Sequence, residues 1–235
     1  MRNNERIIYG LAITTIIFLT ATIAGSQIRL NNRLISDSLI FDSFVTHSIM
    51  LLLVVIAISA MRKTINYRIS LPKFKNILKP ILIGIVTTIV INILMTIVTQ
   101  LAGGKAYAHP LLSKMSPMQV LVFVFIYASI VEEIMFRGFL LNMLKSLKKR
   151  GITIFKRKIS FAVIISALAF GFAHFTLIKT GIDSLYILRI VLFTISLGLV
   201  AGYYQEKYDN NSYAIIVHMA GNSIALIGAF ILNSH

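Results

Sequence analysis

Seven long, predominantly apolar runs constrain this chain more than any other feature. They cover Ile7–Ile28, Phe41–Met61, Pro80–Ala102, Gln119–Leu144, Ile159–Ile178, Leu185–Tyr204 and Ala214–Leu232. Each is about 19 to 26 residues long, and a helix rising 1.5 Å per residue needs about 20 to cross a hydrocarbon core of about 30 Å. Open strands would leave backbone groups unpaired in lipid, so the runs predict an all-α, polytopic transmembrane helical bundle. Composition agrees: 57% of the 235 residues are apolar and only 13% charged, with a mean hydropathy of +0.84. These values exclude a water-soluble enzyme, a disordered tail and a DNA-binding module. The absence of Cys excludes disulfides, iron–sulfur clusters, thiolate zinc sites and cysteine nucleophiles.

The net charge of +15 is a topology signal, with no nucleic-acid partner implied. Between the spans, 16 Lys and Arg fall on one side and 5 on the other, with Arg137 and Arg189 left inside spans. The minority side holds Arg29, Arg33, Lys105, Lys114 and Lys179. The positive-inside rule therefore predicts a cytoplasmic N-terminus. The basic stretch Lys145–Lys158 is expected at the lipid headgroups, its Ile and Phe dipping inward. The first span is longer than a signal-peptide core and carries Glu5 in its leader, so it reads as an uncleaved anchor, with cleavage after Ala24 or Gly25 as the alternative. The whole chain, 1–235, reads as one integral membrane domain: three N-terminal spans and their loops in 1–118, then 119–235.

Of the eight acidic residues, Glu5, Asp37, Asp42, Asp183, Glu206 and Asp209 lie at ends or in loops. Glu132 and Glu133 instead sit side by side in the middle of the fourth span. Each ionisable group at that depth costs about 2.5–3.5 kcal/mol on insertion scales, and two neighbouring carboxylates repel. Glu133 and Arg137 stand at i,i+4 in the favourable order, which predicts an ion pair that leaves Glu132 available. Of the five His residues, His109 and His235 fall outside the spans. His47 lies one or two turns inside the second span, where a lone His reads as a hydrogen-bonded core residue. His174 closes AFGFAH in the fifth span, one turn after Phe170, and His218 opens HMAGN in the seventh, one turn before Asn222. Gly171, Gly221 and nearby Ala residues predict close helix approach.

A carboxylate with imidazoles can hold and deprotonate a water, and a His or Asn can donate to the oxyanion formed when that water attacks a carbonyl. The same groups could instead ligate Zn²⁺ or another divalent metal. No H-E-x-x-H occurs, and no buried Asp is available for a Ser-His-Asp triad.

The three motifs, Glu132-Glu133-Ile134-Met135-Phe136-Arg137 as EExxxR, Phe170 to His174 as FxxxH and His218 to Asn222 as HxxxN, resemble in order and spacing the CPBP family. This comprises CAAX proteases and bacteriocin-processing enzymes, also called the Abi family, intramembrane endopeptidases of the type II CAAX prenyl protease fold. The resemblance covers roughly Leu121–Leu232. It implies a bundle around a conical, water-filled cavity that accepts a peptide end or loop. Glu132 and His174 would activate the water, His218 and Asn222 would form the oxyanion site, and Glu133, Arg137 and Phe170 would support them. If a metal is used, its ligands would come from Glu132, His174 and His218. The prenyl-protein members have eight spans against seven here.

Counting residues from the basic end puts Glu132 about 18 Å deep, His174 about 24 Å and His218 about 9 Å. Ile, Asn and Lys richness without Trp points to a bacterial cytoplasmic membrane. There the resemblance implies peptide maturation, pheromone or bacteriocin processing, or self-immunity, on a peptide or lipid-anchored protein substrate. A non-catalytic scaffold that binds a partner membrane protein is the main alternative, and a proton-coupled transporter using Glu132 and Glu133 is a third. The Gly198-x-x-x-Gly202 pattern predicts packing inside the bundle, with a homodimer contact as its other use.

Overall fold

Every one of the seven apolar runs is helical, and all seven helices are long and apolar enough to cross a membrane. The structure, a computed structural model, describes residues 2–28, 38–104, 115–154, 156–180 and 183–232. Arg29, Arg33, Asp37, Lys105, His109, Lys114 and His235 lie outside them, as do the side chains of Asp42 and Lys179. The spans are α1 (Asn3–Gln27), α2 (Ser38–Ala60), α3 (Leu78–Leu101), α4 (Pro117–Leu147), α5 (Phe161–Ala173, continued as 3₁₀ turns over His174–Thr180), α6 (Ser184–Tyr208) and α7 (Asn211–Leu232). The chain is thus a multi-pass helical bundle.

Helix ends are set by caps rather than by where hydropathy stops. Ser116 and Gln119 close a reciprocal capping box at the start of α4, with Pro117 in its first turn. Ser160 Oγ accepts from Val163 N at 3.1 Å to open α5, and Asp183 Oδ1 accepts from Leu185 N at 2.9 Å to open α6. Helix α6 runs on past its last apolar residue and stops at Asp209, whose φ of 49° leaves the helical region.

Helix α4 packs against α1, α2, α5 and α7. Its Met135, Phe139, Leu140 and Met143 meet Met50 and Val54 of α2 in the main core. Lipid is as apolar as these side chains, so helices associate by close packing. Small residues supply it. Gly171 of α5 lies under Ile195 and Gly221 of α7 under Leu197, two places where an added Cβ would come within 2.2 and 2.7 Å of the neighbour. Gly198 and Gly202 of α6 are buried against Ala167 and Val163 of α5, so that stripe is used inside the bundle. Arg189, with Arg137 one of the two cations inside the apolar runs, is held by Asn92 Oδ1 of α3, with its Nε at 2.9 Å.

The basic end carries two features that hydropathy did not disclose. Within Lys145–Lys158 and just beyond, β1 (Gly151–Ile154) and β2 (Arg157–Ser160) form an antiparallel hairpin, with Ile152 opposite Ile159. Its β-branched residues favour pairing, and Lys156 takes the positive φ of 62° that the tight turn needs. The extended segment after α2 docks on the α6–α7 turn. Asn211 N donates to Arg68 O at 2.9 Å, and Asn210 and Ser70 exchange two bonds. Burial there pushes the Tyr67 phenol up, partly opposed by the Asn211 side chain. Tyr67 lies over Gly138 of α4, where an added Cβ would meet its ring at 2.7 Å.

Candidate active site

The site is built on α4, whose hydrogen-bond ladder is irregular. It is π-helical over Val120–Ala128 and Ile134–Leu140, with a single α-helical stretch, Ser129–Glu133, between them. Five-residue reach appears in its side chains too. Ser129 Oγ donates to Val124 O, and Asn142 Nδ2 bonds to the carbonyls of Arg137 and Gly138. Such widened turns re-aim side chains and recur at functional sites. Here they flank the one turn that carries Glu132 and Glu133, at the middle of the span.

Glu133 faces inward and is 1% exposed. Its Oε1 accepts from Arg137 Nη1 at 3.0 Å and from His218 Nδ1–H at 2.9 Å. An ionised carboxylate only accepts hydrogen bonds, so the imidazole nitrogen facing it, His218 Nδ1, carries the hydrogen. Arg137 is completely buried, and its guanidinium carbon lies 4.7 Å from the centre of the Phe170 ring. Phe170 also has its ring centre 5.3 Å from that of His174 and 5.6 Å from that of His218, so one aromatic ring spaces three motif side chains. Gly198 makes room for the arginine: a Cβ there would stand 2.3 Å from Arg137 Nη2. Gln205 Nε2 of α6 donates to the Arg137 carbonyl at 3.3 Å.

Glu132 turns the other way and keeps 16% of its side chain exposed. Its Oε2 lies 3.6 Å from His218 Nε2, and its Oε1 lies 3.3 Å from Nε2 of His47. The first separation is beyond a direct hydrogen bond and within reach of a bridging solvent molecule. His174 Nδ1–H donates to Phe170 O at 3.1 Å, leaving Nε2 unengaged by that bond, and its ring lies within electrostatic reach of Glu132, His218 and His47. Asn222 stands one turn beyond His218. Its Nδ2 donates to Ser129 Oγ at 3.0 Å and more weakly to Val124 O at 3.4 Å.

The structure thus brings Glu132, Glu133, Arg137, Phe170, His174 and His218 into one cluster and holds Asn222 of α7 at its edge, bonded to α4. The unequal depths counted along the sequence do not separate His218 from the glutamates, because π-helical turns and helix packing change the rise that a straight-helix count assumes. His47 is the member that sequence reasoning passed over. A single His with no motif around it carries no signal, and its partner lies 85 residues away.

The donor chemistry of this cluster, imidazole nitrogen and carboxylate oxygen, suits zinc. Its geometry does not: among the described residues, no three His, Asp or Glu side chains are gathered as a metal sphere requires. What the arrangement can do by itself is hold a water against a carboxylate that is reachable, while the adjacent carboxylate is locked by a cation and an imidazole.

No curated protein and no solved structure matches the chain. A family model does, over residues 114–224, a segment that starts just before α4 and ends two residues after Asn222. It leaves α1–α3, and with them His47, outside. Its description is type II CAAX prenyl endopeptidase Rce1-like, and across that segment the chain is similar to this family of CAAX-type intramembrane proteases.

Proposed function

We propose that this protein is an endopeptidase of a bacterial cytoplasmic membrane, cleaving a membrane-associated peptide or lipid-anchored protein with a water activated by Glu132. The observation that supports it most directly is the contrast on one helical turn. Glu133 is sealed by Arg137 and His218, while Glu132 keeps exposed surface and faces two Nε2 atoms at 3.3 and 3.6 Å. In this reading Glu132 takes a proton from a water also held by His174, and the hydroxide oxygen forms a bond to the scissile carbonyl carbon. The negative charge moves to the carbonyl oxygen. His218 in its doubly protonated form, anchored on Glu133 through Nδ1–H, offers Nε2–H to that oxyanion, and Asn222 offers its amide once released from Ser129. The carbon–nitrogen bond then breaks as Glu132 returns its proton to the leaving amine. Glu133, Arg137 and Phe170 hold these groups in place.

The biological setting inferred is maturation of a pheromone or bacteriocin-type peptide, or self-immunity, as the family resemblance suggests for a chain whose Ile-, Asn- and Lys-rich composition points to a bacterium. Comparative peptidomics of cells carrying wild type or Glu132→Ala tests the activity. A membrane peptide should accumulate uncut in the variant at unchanged protein abundance. Identical peptide profiles would overturn the reading and leave a scaffold that binds a partner membrane protein. Orientation is tested with single cysteines, since the chain has none. Lys149→Cys should react with an impermeant maleimide only from the cytoplasmic side, and Gln100→Cys only from the outside.

A further inference from the structure

The strongest feature that neither the motifs nor the family match accounts for is the imidazole that α2 delivers to Glu132. His47 Nδ1 lies 2.7 Å from Ser43 O, one turn back on its own helix, so that nitrogen carries the hydrogen and Nε2 is left as the acceptor in the neutral ring. That Nε2 points at Glu132 Oε1 at 3.3 Å. On the other side of the same carboxylate, His218 also presents Nε2, because its Nδ1–H is engaged by Glu133. An ionised carboxylate facing the His47 Nε2 lone pair is repulsive. The contact to His47 is therefore made through a proton, carried by the carboxyl or by the ring.

The register of His47 is built, not incidental. One residue further along α2, Ser48 Oγ shares a hydrogen bond of 2.8 Å with Tyr127 OH of α4. One turn before, the Phe44 ring packs on Phe123 and Tyr127 with centroids 5.5 and 5.4 Å away. These contacts fix α2 against α4 on both sides of the imidazole. His47 and Glu132 are also nearly equally exposed, at 15% and 16%, so both reach the space where a water would sit. The titratable groups facing His47 are Glu132 and Tyr127 of α4, with His218 and His174 beyond the carboxylate.

We propose that His47 is a positioning residue of this site, holding the Glu132 carboxylate through one shared proton. The second span, outside the matched family segment, would then complete the catalytic base. The inference rests on the hydrolase reading of Glu132, and two measurements separate its failure from the failure of that reading. Purified protein in nanodiscs, labelled with ¹⁵N in histidine, needs no substrate. The His47 Nε2 resonance should move on Glu132→Gln while Nδ1 keeps the signature of a bound proton. A His47 spectrum indifferent to Glu132→Gln overturns the inference, and this arm decides even where a His47 variant does not fold.

The second measurement uses as probe the peptide that accumulates in Glu132→Ala cells. On it His47→Ala should lower kcat by about 10²-fold with KM unchanged, and His47→Gln, whose amide N–H can still reach Glu132, should recover part of that loss. Wild-type kcat in both His47 variants overturns the inference and leaves the hydrolase standing. Full processing by Glu132→Ala overturns both.

Discussion

Glu132 and Glu133 are chain neighbours of identical chemistry, and the bundle gives them opposite environments. The Glu133 side is sealed: a fully buried arginine, an imidazole N–H and an aromatic face surround it. The Glu132 side is reachable, lined by imidazole nitrogens at 3.3 and 3.6 Å. About 100° of helix rotation separates the two, enough to turn one toward the packed contact with α6 and α7 and the other toward α2. The difference teaches how a helical bundle can seal one carboxylate of an adjacent pair and leave the other reachable. One of the pair takes the cation and anchors the architecture, and its neighbour keeps exposed surface beside two imidazoles.

Four substitutions break or sharpen this contrast. The largest effect is expected on the open side: Glu132→Gln should reduce processing by about 10³-fold or more, with thermal unfolding of the purified protein near wild type. A folded, fully active variant would make the two carboxylates interchangeable. On the sealed side, Arg137→Ala strands a buried anion and should destabilise by about 3–5 kcal/mol, read as a lower melting temperature and lower abundance. Adding Glu133→Gln to Arg137→Ala should cause less further loss than Glu133→Gln causes alone, because the charge left without a partner is gone. A stable, active Arg137→Ala protein would remove the distinction from the other direction.

The third is Gly198→Ala on α6, whose Cβ would fall 2.3 Å from Arg137 Nη2 and 3.2 Å from the Ala167 Cβ. Overpacking of this kind costs about 1–3 kcal/mol. Melting should fall with processing lost only in proportion to folded protein, whereas Gly202→Ala, which meets Val163, should leave the arginine undisturbed. The smallest effect is at the edge of the cluster. Ser129→Ala removes the acceptor that holds Asn222 and should lower stability by about 1 kcal/mol. An Asn222 amide freed in this way should not increase stability by thermal melt; an increase would mean that its present bond is strained rather than supporting.

Much of this organisation is legible in the chain. Predominantly apolar runs of about twenty residues leave helix as the only economical structure in lipid, and two glutamates amid SIVEEIMFRGF announce their own expense. The i,i+4 interval from Glu133 to Arg137 sets a distance that helical geometry closes locally. The rest depended on contacts between distant segments. The hairpin at 151–160 hides in a stretch whose charge suggests only a surface. The π-helical turns of α4 arise in a run of Val, Phe and Ile that would equally suit a regular helix. His47 has no sequence neighbour that marks it, so only the docking of Phe44 and Ser48 against Tyr127 shows where its ring points.

Order, spacing and hydropathy along the chain determined the number of spans and the identity of the two acids that do not belong in lipid. Those properties depend on local geometry and on transfer between water and hydrocarbon, which each segment experiences alone. Which acid is sealed, which imidazoles meet the other, and that α2 contributes one of them were decided by tertiary packing. Those choices turn on a few ångströms between helices as many as 85 residues apart, a scale that no periodicity along one helix encodes.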